Sequence, residues 1–174
     1  GSKVDAEGNL ILGLRDAEGQ IWTTQRISPQ GEKLLQRDGR AGGSFYAIGT
    51  AQDVERSGKI GFSEGFATGA AVREATGFPL ICAMSAGNLK TVALAEKQKY
   101  PKAEFLFFAD NDASGRGEEA AREAAQVVGG IVVVCPEPGD FNDLARTKGA
   151  EAVQLAIEAA LKNPEPERNG KPKK

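Results

Sequence analysis

Apolar positions follow two different rhythms along the chain, and the change falls near Gly49. Before it, short strand-like runs (Leu10 to Leu14, Ile21 to Ile27, Lys33 to Gln36, Phe45 to Ile48) are separated by glycine-bearing turns, which predicts a small antiparallel β element. After it, strand-length apolar runs alternate with segments of helical period. The predicted order is strand Lys59 to Phe62, helix Phe66 to Ala75, strand Leu80 to Met84, helix Leu89 to Gln98, strand Glu104 to Ala109, helix Gly117 to Val128 and strand Ile131 to Cys135. Alternation of this kind means parallel strands joined by right-handed crossovers. A short helix, Phe141 to Arg146, and a final one, Ala150 to Leu161, follow, the last with Val153, Ile157 and Leu161 on one face to pack on the sheet. The fold class is α/β, a parallel sheet of about four strands flanked by helices and preceded by the small antiparallel element. The expected division is residues 1–50 as a β extension, 51–162 as the α/β domain, and 163–174 as a tail rich in Pro, Glu and Lys that has nothing to bury and should be disordered. Asp5-Ala6-Glu7-Gly8-Asn9 is echoed by Asp16-Ala17-Glu18-Gly19-Gln20, which reads as one turn chemistry used twice.

Composition narrows the function classes. A chain of 174 residues, 40% hydrophobic and 26% charged, can build one good core with an appendage. With a formal net charge of -2 and a pI of about 5.4, no overall positive field announces a nucleic-acid partner, so any such contact must be local. No apolar stretch reaches the roughly 20 residues that span a bilayer, and no signal-like start is visible. The chain therefore reads as cytoplasmic, with no membrane partner. Gly1-Ser2 resembles a cleavage scar, so a piece of a longer protein is expected. There is no histidine, which excludes a histidine-dependent triad, zinc site or proton shuttle within the chain. That absence decides the meaning of Gly61-Phe62-Ser63-Glu64-Gly65, which matches a nucleophile elbow in the required strand-to-helix setting but leaves Ser63 without a base. Cys82 and Cys135 lie in apolar runs and are read as small buried hydrophobes.

Candidate chemistry lies where strands should pass into loops. Glu64-Gly65 follows Ile60-Gly61-Phe62, and Asp110-Asn111-Asp112 follows Phe105 to Ala109. If those runs are neighbours in one sheet, both loops open at the same edge and the carboxylates of Glu64, Asp110 and Asp112 converge on a patch suited to a divalent cation, Mg²⁺ or Mn²⁺. Gly65 allows close approach of a phosphate, and the helix that follows points its amide dipoles at the same place. The competing structural readings are a carboxylate complementing a helix dipole for Glu64 and capping of the next helix for the aspartates. A third cluster, Gly139-Asp140-Phe141-Asn142-Asp143, falls at the same end of the sheet. Asp140 or Asp143 could hold a second cation or its waters, or cap the short helix. Ser85-Ala86-Gly87-Asn88 also opens a helix there, with Asn88 as a candidate cap and Asn88, Lys90, Arg116 and Asp143 as candidate phosphate or nucleic-acid contacts. An EF-hand is excluded, because Asp110, Asp112, Ser114 and Gly115 fit its first positions but Ala121 stands where the bidentate glutamate belongs.

These residues resemble the Toprim domain shared by bacterial primases, type IA and type II topoisomerases, and some nucleases and recombination proteins. The strings Ser63-Glu64-Gly65-Phe66-Ala67-Thr68, Ser85-Ala86-Gly87-Asn88-Leu89 and Asp140-Phe141-Asn142-Asp143 are similar to primase-like proteins of conjugative plasmids and phages, and Gln25-Arg26-Ile27 with Gly31-Glu32-Lys33 resembles the segment preceding the Toprim core in them. The resemblance implies Glu64 as ligand or general acid/base, Asp110 and Asp112 as magnesium-binding aspartates, and Asp140 as a less regular third acidic position. It implies a DNA primase domain that makes RNA primers on a single-stranded DNA template from nucleoside triphosphates, with a helicase or other domains of the parent protein as partners. Two alternatives stay open: a Toprim nuclease, and a non-catalytic DNA-binding or protein-docking module. The chain departs from topoisomerases in lacking a region for a nucleophilic tyrosine, since Tyr46 sits in the β element and Tyr100 follows a helix. It also lacks the cysteine and histidine pattern of the zinc module that often accompanies primases, so template recognition would come from outside it.

Overall fold

Paired turns shape the N-terminal region. In the computed structural model, which describes residues 1–163, Asp5 accepts the Asn9 amide at 2.8 Å and Asp16 accepts the Gln20 amide at 2.9 Å, so the repeated pentapeptide is the same Asx-type turn made twice. Each turn reverses the chain between strands: β1 (Ser2–Val4), β2 (Leu10–Arg15) and β3 (Ile21–Ile27), with β4 (Lys33–Leu35) completing a four-stranded antiparallel sheet in sequential order. Ser2, expected to be part of a scar, pairs with Leu12 in β1.

The second sheet has five strands, β5 (Tyr46–Ile48), β6 (Lys59–Ser63), β7 (Leu80–Cys82), β8 (Glu104–Ala109) and β9 (Ile131–Val134), in the order β5-β7-β6-β8-β9. The four strands from β6 to β9 are parallel, as the alternating pattern predicts. The fifth is a correction. Residues Phe45 to Ile48 read as part of the N-terminal element, yet β5 pairs antiparallel with β7 at the edge of the larger sheet. A three-residue strand carries no signal for which sheet it joins, because that is settled by partners distant in sequence. Helix α1 (Ala51–Ser57) was likewise not evident from periodicity; the Thr50 and Asp53 capping box starts it and left-handed Gly58 ends it.

Strand β8 explains the layering. It is buried along most of its length, and side chains alternate between faces. Phe105, Phe107 and Ala109 pack with Phe62 under α1, α3 (Leu89–Lys99) and α4 (Arg116–Val128). Leu106 and Phe108 face α2 (Phe66–Thr76), α5 (Phe141–Lys148) and α6 (Ala150–Lys162). Phe62 stacks on Phe107 with ring centroids 4.9 Å apart, while Phe108 meets Phe141 edge-on at 5.7 Å. Val153 and Ile157 of α6 are fully buried and Leu161 only partly so. Close approach of α2 to the sheet requires Gly69, where a Cβ would lie 2.5 Å from the Cys82 sulfur. Both cysteines are free and buried, and burial pushes the Cys82 thiol up to about 12. Among the described residues no helix is long and apolar enough to cross a membrane. The expected tail lies outside the described residues, apart from Asn163.

Candidate functional site

Register brings the acidic loops together. Strands β6 and β8 are parallel neighbours with Ser63 opposite Phe108, so Glu64 and Asp110 leave the same sheet edge side by side. Beyond β9, the chain folds back so that Asn111 and Gly139 exchange backbone hydrogen bonds of 2.8 and 3.0 Å, and the Asn111 side chain donates to Cys135 O at 3.1 Å. Asn111 thus serves as the tie between two acidic loops, and it carries Asp140 up to Asp110. Glu64, Asp110 and Asp140 line one cavity of about 150 Å³. Asp112 does not line it; the hypothetical Cβ of Gly117 would lie 3.6 Å from Glu64 Oε2 and 3.9 Å from Asp112 Oδ2, which places both carboxylates beside the start of α4.

The carboxylates differ in how they are neutralised. Asp112 is exposed, and its Oδ1 accepts the amides of Ser114 at 2.7 Å and Gly115 at 2.9 Å. Hydrogen bonds from Ser114 and Gly115 hold its carboxyl below the usual range. Asp110 receives the Thr68 hydroxyl at 3.3 Å. Burial, followed by the charge of Asp140 and, more weakly, of Glu64 and Asp112, pushes its carboxyl up to about 6 against the opposing Thr68 bond. The set is therefore short of positive charge at its deepest member.

All the donors here are carboxylate oxygens, which fits a hard divalent cation. Among the described residues no three acidic or thiol side chains already close round a metal position. An open arrangement suits Mg²⁺, which keeps several waters and is usually bound through one or two carboxylates. Helix α2 begins at Gly65 with no side-chain cap, so its first amides lack acceptors, and Gly65 and Ala67 border the cavity. Ser63 is no nucleophile. It is buried, and its hydroxyl donates to Gly65 O at 2.9 Å, shaping the turn.

The other candidates divide. Asp140 and Asp143 form a reciprocal capping box at the start of α5, so Asp143 is spent on capping while Asp140 both caps and lines the cavity. Asn88 is a correction. Its side chain does not cap α3 but is buried, accepting the Gly43 amide at 2.8 Å and donating to Ser44 O at 2.8 Å and Ala83 O at 2.9 Å. With its amide committed to backbone that would otherwise go unpaired, Asn88 is a structural tie, and phosphate has no access to it. Lys90 and Arg116 are exposed and do not border the cavity.

Residues 59–151 match the Toprim domain family. The chain belongs to the Toprim family. Two forms of the Escherichia coli protein named DNA primase TraC are similar to it, 35% and 33% identical over 141 residues, covering 76% of this chain and 10% and 13% of their own lengths. The chain thus spans about a tenth of these relatives. Its fold resembles the primase fragment of the bacteriophage T7 primase-helicase protein, with a TM-score of 0.66, 20% identity and coverage of 89% of this chain and 65% of that one. The RNA polymerase domain of Mycobacterium tuberculosis primase DnaG, solved with a double-stranded DNA oligomer carrying a 6-nucleotide overhang, gives a TM-score of 0.59 at 17% identity, covering 90% of this chain and 57% of that one. At these identities the solved structures speak for the fold. These relatives and solved structures are primases or parts of them.

Sequence reasoning missed three polar residues of the Toprim cavity. Gln25 of β3 and Lys33 of β4 line it from the N-terminal sheet, and Lys33 Nζ lies 3.6 Å from where a Cβ on Gly65 would be. Both stand in strings that resemble the segment preceding the Toprim core, but neither is marked there as a site residue, because a lysine in a short exposed strand looks like any solvated charge. Thr68 is the third. It stands four residues after Glu64, one helical turn into α2, and that spacing was the available clue.

Proposed function

We propose that this Toprim module is the metal-dependent nucleotidyl-transfer centre of a plasmid- or phage-type DNA primase, making RNA primers on single-stranded DNA from nucleoside triphosphates. The observation that carries this reading is one cavity bordered by Glu64, Asp110 and Asp140 together with Lys33 and the uncapped start of α2. The first set takes a divalent cation, and the second takes phosphate. Both are needed where a polyphosphate is opened at its α-phosphate.

In this reading Asp110, Asp112 and Asp140 would hold Mg²⁺ or Mn²⁺. When bound, the cation lowers the pKa of the attacking hydroxyl and offsets charge that develops on the phosphate. Glu64 accepts the proton of the primer 3′-hydroxyl as its oxygen bonds to the α-phosphorus and the bond to pyrophosphate breaks. Lys33 and the amides at the start of α2 hold the phosphates, and Gly65 lets them come close to the backbone. The chain's own contribution is mostly positioning and electrostatics. The phage and mycobacterial relatives suggest the remaining partners: a single-stranded template and a helicase or other domains of the parent protein.

The test is primer synthesis by the intact parent protein on single-stranded DNA with nucleoside triphosphates and Mg²⁺, against the same protein carrying Glu64→Gln. Template-dependent RNA products from the wild type alone support the proposal. DNA cleavage without nucleotides would instead assign the site to a nuclease, and equal DNA binding with no turnover by either protein would assign it to a docking module.

A further inference from the structure

A larger cavity, about 340 Å³, lies at the other edge of the five-stranded sheet. Ile60 and Leu80 line it near the starts of β6 and β7, whereas the carboxylates follow strand ends. No residue lines both cavities. Its floor is apolar, formed by Ile48, Val54 and Ile60. Across the opening stand the β2–β3 turn, with Arg15 and Glu18, and the last turn of α3, with Glu96, Lys99 and Tyr100. Lys99 Nζ reaches Ala17 O at 3.4 Å and so spans the two walls.

Glu96 is the unexplained group. It is 3% exposed, and its Oε1 has no hydrogen-bond partner among the described residues. A buried carboxyl without donors is costly. Its charged neighbours are Lys99, Arg15 and Glu18, and burial dominates over all three in raising its proton affinity. The adjoining core of Val92, Ala93 and Phe105 is apolar, so packing alone would be better served by leucine or methionine. Donors brought in by a ligand would satisfy that oxygen.

We propose that this cavity is a second small-molecule site, taking a guanine nucleotide whose base presents its adjacent N–H donors to Glu96 and whose phosphate meets Arg15 and Lys99. The volume falls within the range of small-ligand pockets. A carboxylate offers two acceptor oxygens to a pair of parallel N–H groups, a bidentate match. Guanine carries that pair on its ring edge, next to flat faces that suit the apolar floor. Adenine sets a ring acceptor beside its amino group and opposes a carboxylate with a lone pair. A polyamine would meet Asp16 and Glu18 as well as Glu96, against Arg15 and Lys99, and so is the competing occupant that the test must separate.

The site is tested by amide-resolved NMR titration of the 174-residue chain, without divalent metal, using GMP, AMP, guanosine and spermidine as probes. GMP should shift the amides of Gly19, Gly49 and Tyr100 saturably with a Kd at or below about 1 mM, and AMP should bind at least about tenfold more weakly. Glu96→Gln should weaken GMP binding about tenfold, because the carboxamide turns one acceptor into a donor. Arg15→Gln should lower GMP affinity towards that of guanosine and leave guanosine unchanged. Shifts confined to the Glu64 and Asp110 loops, equal affinity for AMP and GMP, tighter binding of spermidine, or a Glu96→Gln protein that binds GMP normally would each overturn the proposal. Should Glu96→Gln disturb the fold, the comparison of GMP with AMP on the wild-type chain decides alone.

Discussion

The α/β body and the N-terminal sheet border one cavity with opposite chemistries, and they reach it by different means. The body contributes Glu64, Asp110 and Asp140, each just past a strand end or at the end of the loop that follows one. Parallel register delivers the first two together, and the Asn111–Gly139 bridge delivers the third. The sheet contributes Lys33 and Gln25 from within strands. Their reach depends on how that sheet is fixed to the body, through the paired backbones of Arg15 and Phe45 at 2.9 and 2.8 Å and through the Asn88 side chain. Charge placed by local register tolerates change elsewhere in the molecule, whereas charge placed by docking depends on the joint.

The sharpest break is on the body side. In the intact parent protein, Glu64→Gln should lower nucleotidyl transfer by about 10² to 10⁴-fold, roughly 3 to 5 kcal/mol at the transition state, with the fold kept. A glutamate that only complements a helix start would cost at most about 1 kcal/mol of stability and leave the rate near wild type. Steady-state primer synthesis separates the two. Asn88→Ala attacks the joint. It leaves the Gly43 amide and the Ser44 and Ala83 carbonyls short of a partner, which should cost about 2 to 3 kcal/mol in thermal or denaturant unfolding although Asn88 borders neither the cavity nor a charge. An unchanged midpoint would show that the joint lies elsewhere.

A smaller effect concerns Asp110 and has a definite sign. Its folded-state value of about 6 stands above the ordinary 3.8, so the folded protein holds this proton more tightly than the unfolded chain does. The associated stability is fully present below pH 3.8 and is lost as pH rises through about 6. Without metal, Asp110→Asn should therefore raise stability at pH 7 by about 1 to 2 kcal/mol, after allowance for solvent screening, and flatten the pH dependence between those values. A mutant less stable than wild type at pH 7 would contradict the uncompensated charge. The smallest change is on the sheet side. Lys33→Gln should weaken binding of the nucleotide's triphosphate by about tenfold, near 1.4 kcal/mol, with unfolding unaffected. Identical nucleotide affinity would remove the N-terminal sheet from the phosphate site.

That contrast also sets how much was legible in the sequence. The body's strands and helices were readable because each satisfies its own period, and Glu64, Asp110 and Asp140 were readable because strand ends can be located from those periods. Asn88 stood in a recognisable string but was misread, since a capping asparagine and a buried one that ties two distant backbones look the same along the chain. The sheet that β5 joins and the cavity role of Lys33 were illegible for a related reason. Both come from partners about 30 residues away in sequence, and periodicity carries no information at that range.

Paramagnetic broadening of amide signals during a Mn²⁺ titration tests the convergence of the acidic loops most directly. Broadening should begin at Glu64 to Ala67, Asp110 to Ser114 and Gly139 to Asp140, and should reach Lys33 in β4 before the rest of the N-terminal sheet. Asp110→Asn should weaken the response at all of these together. Broadening that spared these loops, or that centred on the outer strands of the N-terminal sheet, would contradict a metal centre at this edge.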